Sequence, residues 1–295
     1  MSAVIRRWPV SAVLAMVPLG VWGQGLTTSN IESALGRSGQ KTGEVYRVGF
    51  PRTDLHVTVN GISLKAGFAL GSWAAFSGSD SEASVMGDLV LLEGEVAPVM
   101  AKLRESGFEI TGVHNHLLNE SPRVIYMHYL GHGRADDLAK SLRGALAVSK
   151  TPLASPPAAA TQTNEAPAFV KTINDTLGSQ GKWSGGVLSF GIPRSDTITE
   201  AGMSLSPPQG VAQSINFQEA GTGKVAATGD FVLIASEVNP VITALQQNHI
   251  AVTALHSHML VEEPRLFFMH FWGVDSPQNL AASIKAALTH IAVKQ

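Results

Sequence analysis

Residues 111–131 read TGVHNHLLNESPRVIYMHYLG, and residues 253–273 read TALHSHMLVEEPRLFFMHFWG. A single offset of 142 residues (253 minus 111) aligns the two segments without a gap. Both segments carry three histidines, one glutamate and one arginine at matching positions, which are His114, His116, His128, Glu120 and Arg123 in the first and His256, His258, His270, Glu262 and Arg265 in the second. A hydrophobic core does not require this set, so the chain contains a duplicated polar motif.

The same offset extends the repeat upstream. The matches include an Arg/Asp pair and a Gly-Asp pair, which are Arg52, Asp54, Gly87 and Asp88 in the first copy and Arg194, Asp196, Gly229 and Asp230 in the second. A repeat of roughly 120 residues has the usual size of one domain and can bury its own core. We predict repeat domains at residues 28–148 and 168–295, joined by a Pro/Ala-rich linker at residues 149–167.

The first residues have the pattern of a secretion signal. Arg6 and Arg7 precede an apolar stretch from Val10 to Val21, which is too short to span a membrane comfortably. We predict a signal peptide at residues 1–23 and a periplasmic or secreted protein; an uncleaved anchor is the alternative. The chain has no cysteine, which excludes disulfides, thiolate sites and lipid attachment to an N-terminal cysteine.

The overall charge limits the classes of partner that the protein is expected to bind. The net charge is −2 and the basic residues are not clustered, which argues against nucleic-acid binding. After the signal, no segment is long and apolar enough to predict a transmembrane helix. The expected partner is therefore a small-molecule or cell-envelope-derived ligand.

Each repeat is predicted to be an α+β domain with a mostly antiparallel sheet and a β-α-β-β-α C-terminal half. Short apolar runs after each Gly-Asp pair predict strands, and Asn239 with Pro240 predicts the start of the following helix in the second copy. Residues 110–118 alternate as a strand, residues 119–122 form a turn, and residues 123–130 return as a central strand because both faces are apolar.

The three histidines of each motif are predicted to share one face of this hairpin. Pairing in which residue numbers sum to about 242 places His114 opposite His128, with His116 beside both. Directly opposed residues have Cβ atoms ~4.5–5.5 Å apart, which lets the rings converge on one ion. We predict one divalent metal per repeat, zinc first, with manganese, iron, copper and nickel open. Alternatively, the histidines are core residues satisfied by hydrogen bonds.

The remaining motif residues are candidates for catalysis. Glu120 and Glu262 could supply a fourth ligand or a general base, or could be turn acids paired with the neighbouring arginine. Arg123 and Arg265 could hold an anionic substrate group, or could serve as structural ion-pair partners.

The strings GDLVLLEGEVAPVMAKLRESG and TGVHNHLLNESPRVIYMHYLG, with their second copies, resemble the LppY/LpqO-like family of bacterial exported proteins. That family is a domain of unknown function, often duplicated, and the resemblance covers both repeats. It implies export and duplication, and it implies no activity. The family's named members are lipoproteins, and because this chain lacks cysteine, lipidation does not carry over.

These observations favour an exported metalloprotein, and a metal-dependent hydrolase or lyase is the leading functional hypothesis. In it, a metal would acidify a bound water, the glutamate would move protons and the arginine would orient an anion. A non-catalytic metal- or ligand-binding protein and a structural module with core histidines are the two alternatives.

Overall fold

A computed structural model describes residues 25–154 and 165–294. The predicted signal peptide at residues 1–23 and the middle of the predicted linker lie outside the described residues. Among the helices that are described, none is both long and apolar enough to cross a membrane.

The first repeat forms one domain, whose helices and strands are α1 (Thr28–Leu35), β1 (Gln40–Thr42), β2 (Val45–Pro51), β3 (Thr58–Val59), β4 (Ile62–Ser63), α2 (Ala66–Ala69), β5 (Gly71–Gly78), β6 (Ala83–Leu92), α3 (Glu93–Glu105), β7 (Glu109–His114), β8 (Glu120–Ser121), β9 (Val124–Gly133) and α4 (Ala135–Leu146). The main sheet has the strand order β1-β2-β5-β6-β9-β7, and all its neighbours are antiparallel. A small sheet joins β4, β3 and β8.

The second repeat has the same order of elements, which are α5 (Ala168–Leu177), β10 (Lys182–Ser184), β11 (Val187–Pro193), β12 (Ile198–Glu200), β13 (Met203–Leu205), a 3₁₀ turn (Pro207–Gln209), β14 (Ala212–Glu219), β15 (Val225–Ile234), α6 (Ala235–Gln247), β16 (Ala251–His256), β17 (Glu262–Glu263), β18 (Leu266–Asp275) and α7 (Pro277–Leu288). Its main sheet runs β10-β11-β14-β15-β18-β16. The α+β class, the antiparallel sheets and the β-α-β-β-α second half are confirmed.

Each domain packs its long helices on one face of its main sheet. In the first domain, Ile31, Leu103 and Leu142 from the helices meet Phe76 and Leu89 from the strands, and all five are fully buried. The second domain has an equivalent core. Because strand side chains alternate, the other face of each sheet must be covered by something else.

The two uncovered sheet faces pack against each other. Apolar clusters there contain residues of both domains, and the rings of Phe68 and Trp272 meet edge to face at 6.1 Å. The Asn216 side-chain amide donates to the Phe68 carbonyl at 3.0 Å, and Lys65 N–H donates to the Gln218 side-chain oxygen at 3.0 Å. The helices are thus outermost and the inner faces of the two sheets meet.

A buried arginine stabilises the same corner in each domain. Arg52, fully buried, pairs with Asp54 at 2.9 Å and with Glu95 at 2.8 Å. Glu95 also accepts the N–H groups of Leu92 and Lys150, each at 2.8 Å. The second domain repeats this network with Arg194, Asp196 and Glu237. The recurring Arg/Asp pair is therefore structural and ties strand, helix and the segment after the last helix together.

The hairpin prediction was wrong in register. Residues pair with numbers summing to 240, so His114 lies opposite Tyr126 and Gly112 lies opposite His128. A bulge between Ile110 and Gly112 changes the sum only from 239 to 240, so it does not account for the difference from 242. The first strand ends at His114 rather than continuing to residue 118, and β8 pairs with β3 instead of forming a simple turn.

The predicted start of the strand at each Gly-Asp pair and the predicted start of the helix in the second domain were also wrong. Each Gly-Asp pair lies in the middle of a ten-residue strand, not at its start. In the second domain, α6 begins at Ala235, and Pro240 lies inside it. Glu237 causes the earlier start, because its carboxylate accepts the N–H of Ile234 at 2.9 Å and so caps the first turn.

Candidate metal centre

The six motif histidines form one cluster between the domains. The rings of His114 and His256 stack at a centroid distance of 3.5 Å. His116 stacks on His270 and His128 stacks on His258, each at 3.7 Å. Every one of these three stacked pairs joins the two repeats. We refer to the six residues as the histidine cluster.

Two aspartates complete the histidine cluster. Asp88 is paired with His128 across β6 and β9, so the two side chains share a face. Its carboxylate oxygens lie 3.8 Å from His128 Nε2 and 3.9 Å from His116 Nε2. Asp230 occupies the equivalent place, 3.6 Å from His258 Nε2 and 4.0 Å from His270 Nε2.

These contacts form a closed circuit between the domains. Its order is Asp88, His116, His270, Asp230, His258, His128 and back to Asp88. Four of these contacts lie within a repeat, and two cross the domain boundary. Neither domain could assemble it alone.

The glycine of each Gly-Asp pair explains why the aspartate can lie there. A Cβ at Gly87 would lie 2.1 Å from the Trp73 carbonyl oxygen and 2.4 Å from the Tyr129 hydroxyl. A Cβ at Gly229 would lie 2.2 Å from the Ser214 carbonyl oxygen. Only glycine lets these three strands approach closely while the next residue points toward the histidine cluster.

Backbone hydrogen bonds orient two of the rings. His270 Nδ1 lies 3.0 Å from the Gly229 carbonyl oxygen, and the Gly87 backbone makes the corresponding bond to His128. A ring that donates from Nδ1 carries its lone pair on Nε2. In both residues, Nε2 is the atom that faces the neighbouring aspartate. This is the arrangement by which proteins fix a histidine as a metal ligand.

The centre concentrates buried polar atoms without partners. Among the described residues, seven buried side-chain nitrogen or oxygen atoms of the cluster and its aspartates have no hydrogen-bond partner, which belong to Asp88, His114, His128, Asp230, His256, His258 and His270. Each such atom costs about 1–3 kcal/mol when left unsatisfied. Their concentration in one cluster of residues indicates a site for a bound ligand.

Burial controls the charge state of the centre. It lowers the pKa of His128 to about 3, assisted by repulsion from His256, and it lowers the pKa of His256 to about 4. The pKa values of His116, His258 and His270 fall well below the usual range for the same reasons. Neutral imidazoles are the form that binds metal ions.

The pKa values of the two aspartates shift upward, opposite to those of the histidines. Burial raises the pKa of Asp88 to about 7, against the attraction of Arg47. Burial and repulsion from Asp88 raise the pKa of Asp230 well above its ordinary value. A cation between the two carboxylates would offset this penalty.

The distances are close to those of a metal shell. Single ligand atoms of His114, His256, His258 and His270 all lie within 4.8 Å of one another. Two ligands with bonds of ~2.0–2.1 Å to the same ion can be at most about 4.2 Å apart. The aspartate-to-histidine separations of 3.6–4.0 Å already fall inside that limit. Small side-chain movements would bring the remaining nitrogens to bonding distance.

A cavity of about 480 Å³ reaches the centre from one side. Four cluster histidines and both aspartates line it, which are His116, His128, His258, His270, Asp88 and Asp230. His114 and His256 do not. The volume lies within the ~300–1,000 Å³ range of small-molecule sites. The centre therefore has four histidines facing a space large enough for a ligand.

The four predicted catalytic residues lie elsewhere. Glu120 accepts the Val124 N–H at 3.0 Å, because pairing of β8 with β3 turns its carboxylate back toward its own strand. Glu262 accepts from Leu266 N–H and pairs with Arg265 at 3.2 Å. Arg123 is exposed. None of these residues lines the cavity.

The arrangement differs from the expected one in two ways. We expected a separate three-histidine site in each repeat, whereas the two trios meet in one cluster because the motif-bearing sheet faces pack together. We also overlooked Asp88 and Asp230 as site residues. Their signal was available, since an aspartate recurs at the same offset inside an otherwise apolar run.

Comparison with known proteins identifies the repeat. A family model described as Domain of Unknown Function (DUF1259) matches residues 29–148 and again residues 171–290. No curated protein matches the chain.

Similarity to solved structures is weak. A trimeric bacterial microcompartment shell protein, PduB, is 10% identical over 85% of this chain and 88% of its own, with a TM-score of 0.20. Crystal form III of TP0453 is 11% identical over 86% of this chain and 97% of its own, also with a TM-score of 0.20.

Proposed function

The chain belongs to the DUF1259 family in both halves, and we propose that it is an exported protein that binds divalent metal at the histidine cluster between its two repeats. The observation that carries the proposal is that ligand atoms of four histidines from both repeats lie within 4.8 Å of one another, in a cluster that contains seven buried atoms without hydrogen-bond partners. A divalent ion would satisfy several of them and would offset the charge of Asp88 and Asp230. Zinc is the first expectation, since imidazole and carboxylate ligands suit it.

The cavity favours a metal-dependent hydrolase or lyase over a closed storage or structural site. A bound divalent ion supplies a water of lowered pKa and polarises a substrate oxygen. The chain's own part would be to orient the ligand rings through the Gly87 and Gly229 carbonyls and to hold a small or envelope-derived substrate in the cavity. Asp88 and Asp230 are the acids positioned to accept a proton there.

The location of the protein is part of the same proposal. The charged and apolar pattern of residues 1–23 supports export. The two copies of the His-containing sequence motif support a relationship to the LppY/LpqO-like exported proteins within this family. Cell fractionation with N-terminal sequencing of the mature chain tests this part.

Metal analysis of the purified protein tests the centre. We expect wild-type protein to carry divalent metal, and the double variant His114→Ala with His256→Ala to lose most of it. His128→Ala alone and His270→Ala alone should each remove more than half, because the ligands are shared. Separate sites would instead lose half with each single variant.

Two exposed histidines offer a matched control. His56→Ala and His132→Ala make the same chemical change outside the cluster and should leave the metal content unchanged. Unchanged stoichiometry in the cluster variants, with circular dichroism showing a folded protein, would end the metal hypothesis. Metal-loaded protein that cleaves no member of a panel of chromogenic esters and phosphate esters would favour the non-catalytic binding alternative.

A further inference from the structure

The cavity has a cationic wall beside the metal centre. Arg47 lies on β2 and Trp73 on β5, and both line the cavity. The Arg47 guanidinium carbon lies 3.9 Å from the centroid of the Trp73 ring, which is a cation–π contact. The indole therefore holds the guanidinium in place and limits its rotation.

Arg47 keeps donors available for a ligand. Its Nη1 donates to the Pro208 carbonyl of the second domain at 2.6 Å. Within the part of the chain that the structure describes, Nε and Nη2 have no hydrogen-bond partner. A guanidinium has five N–H donors in a planar fork that matches an oxyanion. This fork is fixed by one bond and one stacking contact, with a free edge.

Only one repeat supplies this wall. Trp73 pairs with Asp88 across the first sheet, and in the second sheet Ser214 pairs with Asp230 at the same place. By the same register, the counterpart of Arg47 is Ser189. The second repeat therefore has a small residue at each of these two positions, and of the two only Ser214 lines the cavity.

The charges along the cavity indicate the kind of ligand. Arg47 is the one arginine or lysine side chain among the described lining residues, and Asp88 and Asp230 lie toward the cluster. A single guanidinium matches the one negative charge and two oxygens of a carboxylate. A phosphate dianion usually has more than one cationic partner. The aspartates would repel an anion, so the anionic end should lie at Arg47.

We propose that the cavity binds a small monocarboxylate, with its carboxylate held by the free edge of the Arg47 guanidinium. Its other end then lies toward the histidine and aspartate side chains. This names a substrate class for the proposed metal-dependent function and rests on that function, although the Arg47 contact itself requires no metal. The 480 Å³ volume limits the ligand to a small molecule.

Calorimetric titration with benzoate tests the proposal on chelator-treated and on zinc-loaded full-length protein. Benzoate should bind both forms. Arg47→Met, which keeps an apolar side chain over Trp73, should raise the Kd about tenfold or more in both, because a charge-assisted hydrogen bond is lost. Benzamide, the neutral analogue, should bind about tenfold more weakly than benzoate.

Arg37→Met is the matched control. Arg37 also lies over an aromatic ring, that of Phe50 at 5.4 Å, but it donates to the Pro152 and Ala154 carbonyls and does not line the cavity. It should leave the benzoate Kd unchanged. Should Arg47→Met fail to fold, Arg47→Lys keeps the charge, loses the planar fork and should give an intermediate Kd.

The possible outcomes test the Arg47 proposal and the metal-centre proposal independently. If Arg47→Met leaves the benzoate Kd unchanged, or if benzamide binds as tightly as benzoate, the proposed role of Arg47 is overturned. This holds even where the samples contain metal. Tighter, Arg47-dependent binding of inorganic phosphate overturns the carboxylate class. Arg47-dependent benzoate binding by a protein that takes up no metal when it is loaded with zinc would support the role of Arg47 and refute the metal centre.

Discussion

The two repeats agree at the domain boundary and differ around the cavity. Both place three histidines and one aspartate in the centre, and both place a glycine before that aspartate. Arg47 and Trp73 of the first repeat line the cavity, whereas of their counterparts Ser189 and Ser214 only Ser214 does. Next to the centre, Tyr126 corresponds to Phe268.

This difference reflects two separate requirements, one for binding an ion and one for orienting an organic ligand. An ion is spherical and can be shared by two equivalent sets of ligands, so duplication leaves the centre symmetric. A small organic ligand has two different ends, so a cavity that orients it must be asymmetric. The proposed metal centre is symmetric, and the proposed carboxylate site at Arg47 is asymmetric, as this argument requires. Variants made in pairs, one in each repeat, can therefore test which features are equivalent.

The largest effect is expected where the repeats are most alike. Glu95→Gln and Glu237→Gln each disrupt a buried network with an arginine that is almost fully buried, Arg52 or Arg194. Each glutamate accepts two bonds from arginine and two from backbone N–H groups, and an amide replaces one acceptor by a donor. We expect a loss of about 3–5 kcal/mol in each case, measured by urea denaturation.

The pH dependence of the first network has a definite sign. Burial opposes ionisation of Glu95, but hydrogen bonds from Arg52, Leu92 and Lys150 outweigh it and lower the pKa. Its stabilisation is therefore complete above the ordinary glutamate pKa and is lost as the pH falls through the lower folded-state value. Unequal losses for Glu95→Gln and Glu237→Gln would show that one domain unfolds before the other.

The turn glutamates should respond oppositely to substitution. Burial raises the pKa of Glu120 to about 7, and one of its carboxylate oxygens has no partner among the described residues. A raised carboxyl pKa means that the folded state binds the proton more tightly, so stability falls as pH rises from about 4.5 to 7. Glu120→Gln removes this loss and should stabilise the protein by about 1–2 kcal/mol at pH 8 and little at pH 4.5.

Glu262→Gln is the paired experiment. It removes the ion pair with Arg265, which is half exposed, and should destabilise slightly at pH 8. Thermal unfolding at both pH values measures the two variants together. Stabilisation of both at pH 8, or of neither, would show that the turn acids are equivalent after all.

The sequence predicted the components of the site better than their arrangement. The repeat, the α+β class and the two motif-bearing strands follow from the offset and from alternation. The predicted register was wrong because the first strand ends at His114 and residues 120–121 pair with β3, so residues 119–122 are not the tight turn that would fix the pairing. Asp88 was passed over because its neighbours read as a buried strand.

The meeting of the two repeats could not be predicted from either copy. Each motif strand is apolar on both faces, which indicated only that both faces are buried. Whether helices, the other domain or a second chain covers the inner face depends on long-range packing. His116 and His270 contact each other although 154 positions (270 minus 116) separate them. Local spacing carries no information about such a contact.

A small effect on stability is expected at the position next to the centre where the repeats differ by one hydroxyl oxygen. Tyr126 donates its hydroxyl to the Ala69 carbonyl at 2.8 Å, and the His116 ring stacks on it at 3.2 Å. Phe268 supports His258 in the same way at 3.5 Å without a hydroxyl. Tyr126→Phe should therefore cost about 1 kcal/mol in urea denaturation and leave the metal content unchanged.

The reverse variant sharpens this prediction. Phe268 is fully buried, so Phe268→Tyr inserts a hydroxyl into a packed position and should destabilise by about 1–3 kcal/mol. Metal content, measured on the same samples, should again stay constant. A fall in metal content with Tyr126→Phe would make that hydroxyl part of the site. It would also show that the ion is held unequally by the two repeats, since the second repeat has no hydroxyl to offer at the matching position.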